Sequence, residues 1–225
     1  MWSLSASSVL NYAKCPYSFY LYKTYGKEER PLSKATATGK AFHKVVELIL
    51  NGANFKEALG EIVASDGVLV DFNELKLFYT AYEREIEKIK NEGVLAVEKP
   101  FELEIDDVII TGYIDIITNE RRMIEMKTTR QHVLHPKPSH LFQLSLYRLT
   151  DDADYYELHY IMPNDFVKIP VKPYPTDFVL TVIKQVKKLV DTEEYPPLGI
   201  INGYCQFCLF KDLCGFYKRL NKSGG

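Results

Sequence analysis

Three charged side chains in the middle of the chain have the types and the spacing that phosphodiester hydrolysis requires. Asp115 lies in the apolar segment GYIDII, and Glu125 and Lys127 stand two residues apart in MIEMKTT. Side chains alternate along a strand, so Glu125 and Lys127 share one face, and an antiparallel neighbour can bring Asp115 beside them. Two carboxylates can hold Mg²⁺ or Mn²⁺, and a lysine can orient or activate the attacking water. An E-x-K pair alone is more often a surface ion pair, but the acid in the preceding apolar strand favours the catalytic interpretation.

Three residues on predicted helices add to this hypothesis. His43 lies among apolar residues in TGKAFHKVVELIL, and its neutral imidazole can offer one nitrogen to the same cation. Gln143 and Tyr147 are four residues apart, so both can point from one helical face toward one site. For each of them alone, a hydrogen-bonded helix histidine or an ordinary helix surface is the more frequent explanation.

Four cysteines are divided between the two ends of the chain. Cys15 stands alone near the start, and Cys205, Cys208 and Cys214 lie within CQFCLFKDLC near the end. Four thiolates are the usual complement of one iron–sulfur cluster or one structural zinc, and the spacing alone leaves both open. Either centre would join the two ends of the chain.

Composition and charge narrow the class of protein. The chain has 225 residues, of which 46% are hydrophobic and 26% charged, so it can bury one large core or two small ones. No apolar run approaches the ~18 residues of a membrane span, and no signal peptide is evident at the start. We therefore expect a cytoplasmic protein without membrane partners, in which cysteines bind metal rather than form disulfides.

A basic segment offers nucleic-acid contacts although the net charge is −2. The stretch TTRQHVLHPKPSH follows the segment that carries Glu125 and has no helix or strand period, so we expect a loop over the mouth of the site. Arg130 and Lys137 in this loop are predicted to contact DNA phosphates.

Hydrophobic periodicity predicts the elements that must position these side chains. We expect helices over residues 5–14, 17–25, 38–50, 55–64 and 73–91, strands over 94–105, 108–118 and 122–128, a helix over 140–149, strands over 155–162 and 166–171, and a helix over 177–191. Leu77, Tyr82 and Ile86 are the expected inner positions of the helix over 73–91. The order predicts an α/β fold with an N-terminal helical cap. We expect one domain over 1–225, in which 1–92 are mainly helical, 93–195 form the core and 196–222 bind the metal centre.

Together these residues resemble a known family. The chain is similar to the RecB-like branch of the PD-(D/E)XK nucleases, and most closely to the iron–sulfur exonucleases associated with CRISPR adaptation, the fourth Cas protein. The residues that carry the resemblance stand in the family's order and span nearly the whole chain: Cys15-Pro16, His43, Gly112-x-x-Asp115, Glu125-x-Lys127, Gln143-x-x-x-Tyr147 and Cys205-x2-Cys208-x5-Cys214. Ile114, rather than proline, precedes the first acid, as is common in this branch.

The resemblance implies a fold, two cofactors and a set of roles. The fold is a restriction-endonuclease-like mixed central sheet flanked by helices, with the C-terminal segment joined to the N-terminus by a 4Fe–4S cluster, which the resemblance favours over zinc. The implied cluster ligands are Cys15, Cys205, Cys208 and Cys214. The implied ligands of a catalytic Mg²⁺ or Mn²⁺ are His43, Asp115 and Glu125, and the implied catalytic set is Asp115, Glu125, Lys127, Gln143 and Tyr147.

The implied activity is that of a DNA exonuclease acting on single-stranded ends in the 5′→3′ direction. Its expected setting is CRISPR spacer acquisition with integrase partners, or a phage or viral homologue of that enzyme. The alternative is a DNA-end-binding adaptor subunit that selects ends for integrases without cleaving them. A third alternative is a zinc-stapled α/β protein of unrelated function.

Overall fold

A computed structural model describes residues 2–25, 33–66 and 69–222 of the chain. The chain forms two compact units: the first comprises Met1–Pro31, Glu102–Thr111 and Pro175–Gly225, and the second comprises Leu32–Phe101 and Gly112–Tyr174. In the described part, no helix is both long and apolar enough to cross a membrane.

Helices dominate the first 92 residues, and the remainder contains both strands and helices. The elements follow in the order β1 (Trp2–Ser5), α1 (Ala6–Lys14), α2 (Pro16–Tyr25), α3 (Lys34–Leu50), α4 (Phe55–Asp66), α5 (Phe72–Glu92), β2 (Val94–Ile105), β3 (Val108–Thr118), β4 (Arg122–Thr128), α6 (Pro138–Tyr147), β5 (Tyr155–Met162), β6 (Asp165–Val171), α7 (Thr176–Asp191) and α8 (Gly215–Lys222), with short 3₁₀ helices at Leu198–Ile200 and Tyr204–Phe207.

The second unit is built on a mixed sheet. β3 pairs antiparallel with β4, β4 pairs parallel with β5, and β5 pairs antiparallel with β6, while β2 pairs with β3. The parallel pair requires a crossover, which α6 supplies between β4 and β5. Helices α3, α4 and α5 pack on this sheet and bury side chains such as Phe42, Leu75 and Ile124 in one core. The expected α/β fold with a mixed sheet flanked by helices is thereby confirmed.

The first unit gathers segments from both ends of the chain. β1 pairs parallel with the start of β3, and α1 packs against α7. The Tyr12 hydroxyl donates a hydrogen bond to the carbonyl oxygen of Glu194 at 3.1 Å. Leu21, Phe210 and Cys214 form a small core of their own.

Local signals explain where the helices that frame the site begin and end. Ser33 precedes α3, and its hydroxyl accepts a hydrogen bond from the Thr36 amide at 3.1 Å. Asp71 caps α5 in the same way through the Glu74 amide at 3.2 Å. Gly93 ends α5 with a φ of 81°, a backbone conformation that other residues rarely adopt.

The structure departs from the sequence prediction in several elements. α3 begins at Lys34 rather than at residue 38, because Ser33 caps it. β1 was not expected, because a strand of 4 residues is too short to show alternation. α6 begins earlier, at Pro138, since proline is favoured in the first helical turn, and it ends at Tyr147. The inner position expected for Leu77 is wrong: its side chain is 39% exposed, and α5 buries Leu75 and Phe78 instead. The segment 196–222 contains α8 and the 3₁₀ helices, which the sequence did not indicate.

Candidate active site

Two acids meet where the ladder between β3 and β4 ends. The paired part of these strands includes Ile116 opposite Ile124, next to the turn that joins the strands. Beyond that pair, the carboxylate of Asp115 replaces a ladder partner, because its Oδ2 accepts a hydrogen bond from the Met126 N–H at 2.6 Å. The antiparallel register therefore brings Asp115 and Glu125 to the same place in the sheet.

Glu125 is a fully buried carboxylate. Its side chain is 0% exposed, and neither oxygen has a well-aligned hydrogen-bond donor among the described residues. Burial raises the pKa of Glu125 and the charge of Asp115 raises it further, to about 7, although the nearby Lys127 ammonium lowers it. A buried carboxylate of this kind has free capacity for a cation.

Lys127 is held as a cation by these acids. Its ammonium is in ion-pair contact with Oε1 of Glu125. Burial lowers the pKa of Lys127, but the charges of Glu125 and Asp115 more than compensate and raise it above its usual value. Lys127 can therefore act as a hydrogen-bond donor and a positive charge, and it is not poised to accept a proton.

His43 joins the site together with a residue that the sequence analysis missed. Nδ1 of His43 lies 3.4 Å from Oδ1 of Asp115 and 3.4 Å from Oε1 of Glu98. One ligand atom from each of these three residues lies within 4.8 Å of the other two, so they could hold one ion. Glu98 lies in β2 with a φ of 46°, and strained backbone of this kind concentrates at functional sites. An acid in a predicted strand is too common a signal to have identified it.

The surrounding charges keep the imidazole of His43 protonated. Burial lowers the pKa of His43, but the charge of Asp115 and hydrogen bonds to Asp115 and Glu98 raise it to about 10. Burial raises the pKa of Asp115, while the cations of His43 and Lys127 lower it below its usual value. Because a metal ligand must be an unprotonated imidazole, binding of a cation here would release a proton.

Gln143 and Tyr147 reach the same acids from α6. The side-chain amide of Gln143 donates a hydrogen bond to the Tyr147 hydroxyl. Burial raises the pKa of Tyr147 far above its usual value, and the charges of Glu125 and Asp115 raise it further. The phenol is therefore a permanent donor beside the two carboxylates.

Gly112 has a packing role in this arrangement. A Cβ at Gly112 would lie 2.6 Å from the ring of Phe101, closer than atoms can approach. Phe101 in turn packs edge-on against Tyr147, with 5.3 Å between the ring centroids. A larger residue at position 112 would displace Phe101 and, through it, Tyr147. The glycine of the G-x-x-D motif thus makes room for a ring that supports the site.

Tyr160 is a second residue that the sequence analysis did not single out. It stands opposite Lys127 in the parallel register of β4 and β5. Its hydroxyl accepts a hydrogen bond from the Lys137 N–H at 2.9 Å and lies 3.1 Å from Nδ1 of His140. Tyr160 therefore fastens the start of α6 to the strand pair that carries Lys127.

The two predicted DNA contacts lie between β4 and the start of α6. Arg130 forms a double ion pair with Glu74, with Nε 2.5 Å from Oε1 and Nη2 2.9 Å from Oε2. Its side chain is nevertheless 64% exposed. Lys137 is exposed at the N-cap position of α6. Contact with DNA stays a prediction for both residues.

The donor set around Asp115 fits a hard divalent cation. Carboxylate oxygens suit Mg²⁺ and Mn²⁺, and one imidazole is compatible with Mn²⁺. His43, Glu98 and Asp115 offer three ligand atoms that lie within 4.8 Å of one another. Of the three ligands expected from the sequence, His43 and Asp115 belong to this group, whereas Glu125 lies beside it, near enough for the charge of Asp115 to raise its pKa. A metal role for Glu125 stays a prediction.

The four cysteines lie in the first unit and line one small cavity. All four are free of disulfides. A Cβ at Gly199 would lie 3.3 Å from Sγ of Cys205 and 3.4 Å from Sγ of Cys15, so thiols from both ends of the chain flank this glycine. In the described part of the chain, no three of the sulfurs lie within 4.8 Å of one another, whereas thiolates bound at about 2.3 Å to one zinc would lie about 3.8 Å apart.

One comparison with known proteins identifies a superfamily, and two others concern the fold. A family model for the PD-(D/E)XK nuclease superfamily matches residues 3–215. The crystal structure of SSO0001 aligns with a TM-score of 0.52 and 19% identity, covering 96% of this chain and 86% of that one. A candidate exonuclease from Eubacterium rectale aligns with a TM-score of 0.58 and 12% identity, covering 89% and 82%. At such identities these two likenesses concern the fold. No curated protein matches the sequence.

Proposed function

Because the chain belongs to the PD-(D/E)XK nuclease superfamily, we propose that this nuclease is a divalent-metal-dependent DNA exonuclease. One observation carries the proposal: the carboxylates of Glu125 and Asp115 are buried side by side, and neither oxygen of Glu125 has a well-aligned hydrogen bond among the described residues, although the Lys127 ammonium is in contact with one of them. A buried carboxylate is costly unless a cation or a proton compensates it. A divalent cation bound for hydrolysis would compensate the buried carboxylates.

The proposed metal ligands are His43, Asp115 and Glu125, together with Glu98, which forms one group of ligand atoms with His43 and Asp115. When bound, Mg²⁺ or Mn²⁺ supplies Lewis-acid stabilisation of the phosphate and lowers the pKa of water. The carboxylates of Glu98, Asp115 and Glu125 and the imidazole of His43 supply mainly oxygen ligands. Oxygen ligands of this kind suit a hard divalent cation.

Lys127 is the residue that we assign to the attacking water. Because Glu125 and Asp115 keep its ammonium charged, it can hold the water by a hydrogen bond and offset the charge that builds on the phosphate. Tyr147, whose phenol stays protonated, can donate to a phosphate oxygen, and Gln143 orients that phenol.

The finer assignments of the proposal rest on the resemblance of the motif set to the fourth Cas protein. They are action on single-stranded ends, the 5′→3′ direction, and a role in CRISPR spacer acquisition with integrase partners or in a phage or viral homologue. Arg130 and Lys137 would meet the backbone phosphates. Arg130 would do so while it remains paired with Glu74, since its side chain is largely exposed.

A 4Fe–4S cluster on Cys15, Cys205, Cys208 and Cys214 completes the proposal. Its support is that the four cysteines line one small cavity, with the sulfurs of Cys15 and Cys205 both beside Gly199. The choice of a cluster over zinc rests on the resemblance of the motif set. The role assigned to it is structural, because it would join the two ends of the chain within the first unit.

Degradation of end-labelled single-stranded DNA tests the central proposal. We expect the wild-type protein to degrade the strand with Mn²⁺ and not with a chelator. Lys127→Ala should lower the rate about 100- to 1,000-fold, as loss of one donor to a developing anion does. Lys76→Ala, which removes an exposed lysine from α5, is the matched control and should leave the rate unchanged.

Three results would contradict parts of the proposal. Undiminished degradation by Lys127→Ala would remove that residue from the mechanism. Degradation that persists in chelator would exclude a divalent metal from the chemistry. Binding of the labelled strand without metal-dependent degradation would favour the adaptor subunit over the exonuclease.

A further inference from the structure

One aromatic side chain on the strand that carries Asp115 is largely exposed. The part of β3 from Ile114 to Thr118 is buried at every position, yet Tyr113 directly before it is 59% exposed. Among the described residues, none makes a hydrogen bond or a ring contact with the Tyr113 side chain. A large aromatic residue in a strand usually contributes by packing, and this one leaves more than half of its surface uncovered.

The position of Tyr113 relative to Asp115 is set by the strand. Side chains two residues apart on a strand share a face and are separated by about 7 Å along it. Tyr113 therefore stands on the Asp115 side of β3, one side-chain repeat further out. The ladder between β3 and β4 ends before this point, so the two strands leave the ring uncovered.

Packing at the preceding residue fixes the strand that carries the ring. Phe101 fills the space over Gly112, where even a Cβ would lie 2.6 Å from its ring. Phe101 itself packs edge-on against Tyr147. The backbone next to Tyr113 is thereby held by packing, while the Tyr113 ring is exposed.

A nucleobase fits this surface better than a protein partner does. A protein interface needs a contiguous apolar patch, but Tyr113 is flanked along the strand by Gly112 and the buried Ile114, and the next residue on its face is Asp115. A single exposed ring beside a phosphate-cleaving site is instead the arrangement on which a base can stack, whatever its sequence.

We infer that Tyr113 binds substrate by stacking on a base next to the cleaved phosphodiester. This inference rests on the proposed nuclease function and adds a feature of the substrate to it. The recognised group is the base. On a strand without a base at that position, Tyr113 should therefore not increase kcat/KM. Stacking tolerates every base, so the inference agrees with cleavage that has little sequence preference.

The test combines two variants of Tyr113 with two substrates. On a single-stranded oligonucleotide with Mn²⁺, Tyr113→Ala should lower kcat/KM on the order of ten-fold, mainly through KM, and Tyr113→Phe should keep it. On the same oligonucleotide with abasic sites at its terminal nucleotides, wild type and Tyr113→Ala should be equal. Tyr155→Ala is the matched control, since Tyr155 is 62% exposed on β5, opposite Arg122 and away from Lys127. It should behave as wild type.

Several outcomes would overturn the inference. They are an unchanged KM in Tyr113→Ala, an equal loss on the abasic strand, or a Tyr113→Phe variant as impaired as Tyr113→Ala. If Tyr113→Ala does not fold, judged by circular dichroism, Tyr113→Leu takes its place, because leucine keeps apolar bulk without a ring.

A binding measurement separates this inference from the proposed function. An oligonucleotide with terminal 2-aminopurine, mixed with the protein in chelator, should be quenched by wild type and less by Tyr113→Ala. Binding with equal quenching would overturn stacking even if the wild-type protein cleaves DNA. Quenching that depends on Tyr113, without metal-dependent cleavage, would overturn the proposed exonuclease activity but support the base contact. Absence of any binding would overturn both.

Discussion

Glu98 shows how one backbone angle can add a ligand to a site. Its φ of 46° takes the chain out of regular strand geometry within β2, and its carboxylate lies 3.4 Å from Nδ1 of His43. A residue other than glycine or asparagine holds such a φ at a cost of about 1–3 kcal/mol, so the surrounding contacts must outweigh it. The charge of His43 supplies one such contact in the protein without metal, and a cation would supply another.

Replacing Glu98 by glutamine should weaken binding of Mn²⁺ on the order of ten- to hundred-fold, because one charged ligand is lost while the side-chain shape is kept. Isothermal titration calorimetry in the absence of DNA measures this affinity. Glu104→Gln, an exposed acid on the same strand, is the control and should bind Mn²⁺ as wild type does. Equal affinity in Glu98→Gln and Glu104→Gln would exclude Glu98 from the metal site.

Sequence could indicate only the residues whose types and spacing repeat a known pattern. Asp115, Glu125 and Lys127 stand in two strands whose alternation is visible, so their meeting follows from antiparallel pairing. Glu98 and Tyr160 carry no such signal. The first reaches His43 through a left-handed backbone angle, and the second acts through the register of two parallel strands with a helix between them. Neither property can be read from local periodicity.

At the scale of elements, β4 is anchored to α5 by a buried ionic network. Arg122 begins β4, is 7% exposed, and pairs with Glu85 and Glu92 of α5 and with Glu157 of β5. Glu85 and Glu157, together with His159, have ligand atoms close enough for a metal ion. Because Arg122 and the nearby Lys168 already compensate these acids, we interpret the group as a structural ion network.

Arg122→Ala should lower the free energy of unfolding by about 3–5 kcal/mol, because removing one partner leaves buried carboxylates uncompensated. The adjacent Arg121→Ala should cost at most about 1 kcal/mol, since that side chain is 52% exposed and its partner is an exposed acid. Urea denaturation followed by circular dichroism measures both. Equal losses in the two variants would show that the network does not anchor β4 to α5.

Elements with a local sequence pattern could be predicted, and elements that depend on distant partners could not. β2, β3 and β4 were predicted with their observed ends, because alternation is strong and a turn at Asp106 separates β2 from β3, where φ is 55°. β1 was not, since its partner is a strand far along the chain. On α5, the buried Glu74 and Glu85 contradict a simple amphipathic pattern, and their cationic partners, Arg130 for Glu74 and Arg122 and Lys168 for Glu85, explain them.

At the scale of the whole molecule, the two proposed metal centres belong to different units. The acidic site lies within Leu32–Phe101 and Gly112–Tyr174, whereas the cysteines lie within Met1–Pro31 and Pro175–Gly225. The first unit contains both termini, and Leu21, Phe210 and Cys214 form a small core beside the other cysteines. A cluster bound there would stabilise this part of the unit, since ligation restrains the unfolded chain and is coupled to folding.

Replacing Cys15 by alanine should therefore remove the cluster and loosen the first unit. Anaerobically purified wild-type protein should be brown and contain about four irons per chain, whereas Cys15→Ala should lose the broad visible absorbance. Its melting temperature should fall on the order of 10 °C. Ser7→Ala, an exposed change in the same unit, is the control and should alter neither property. Metal analysis by mass spectrometry identifies the metal. Stoichiometric zinc without iron in the wild-type protein would show a zinc site in place of the cluster. An unchanged melting temperature in Cys15→Ala would show that a metal bound there has no structural role.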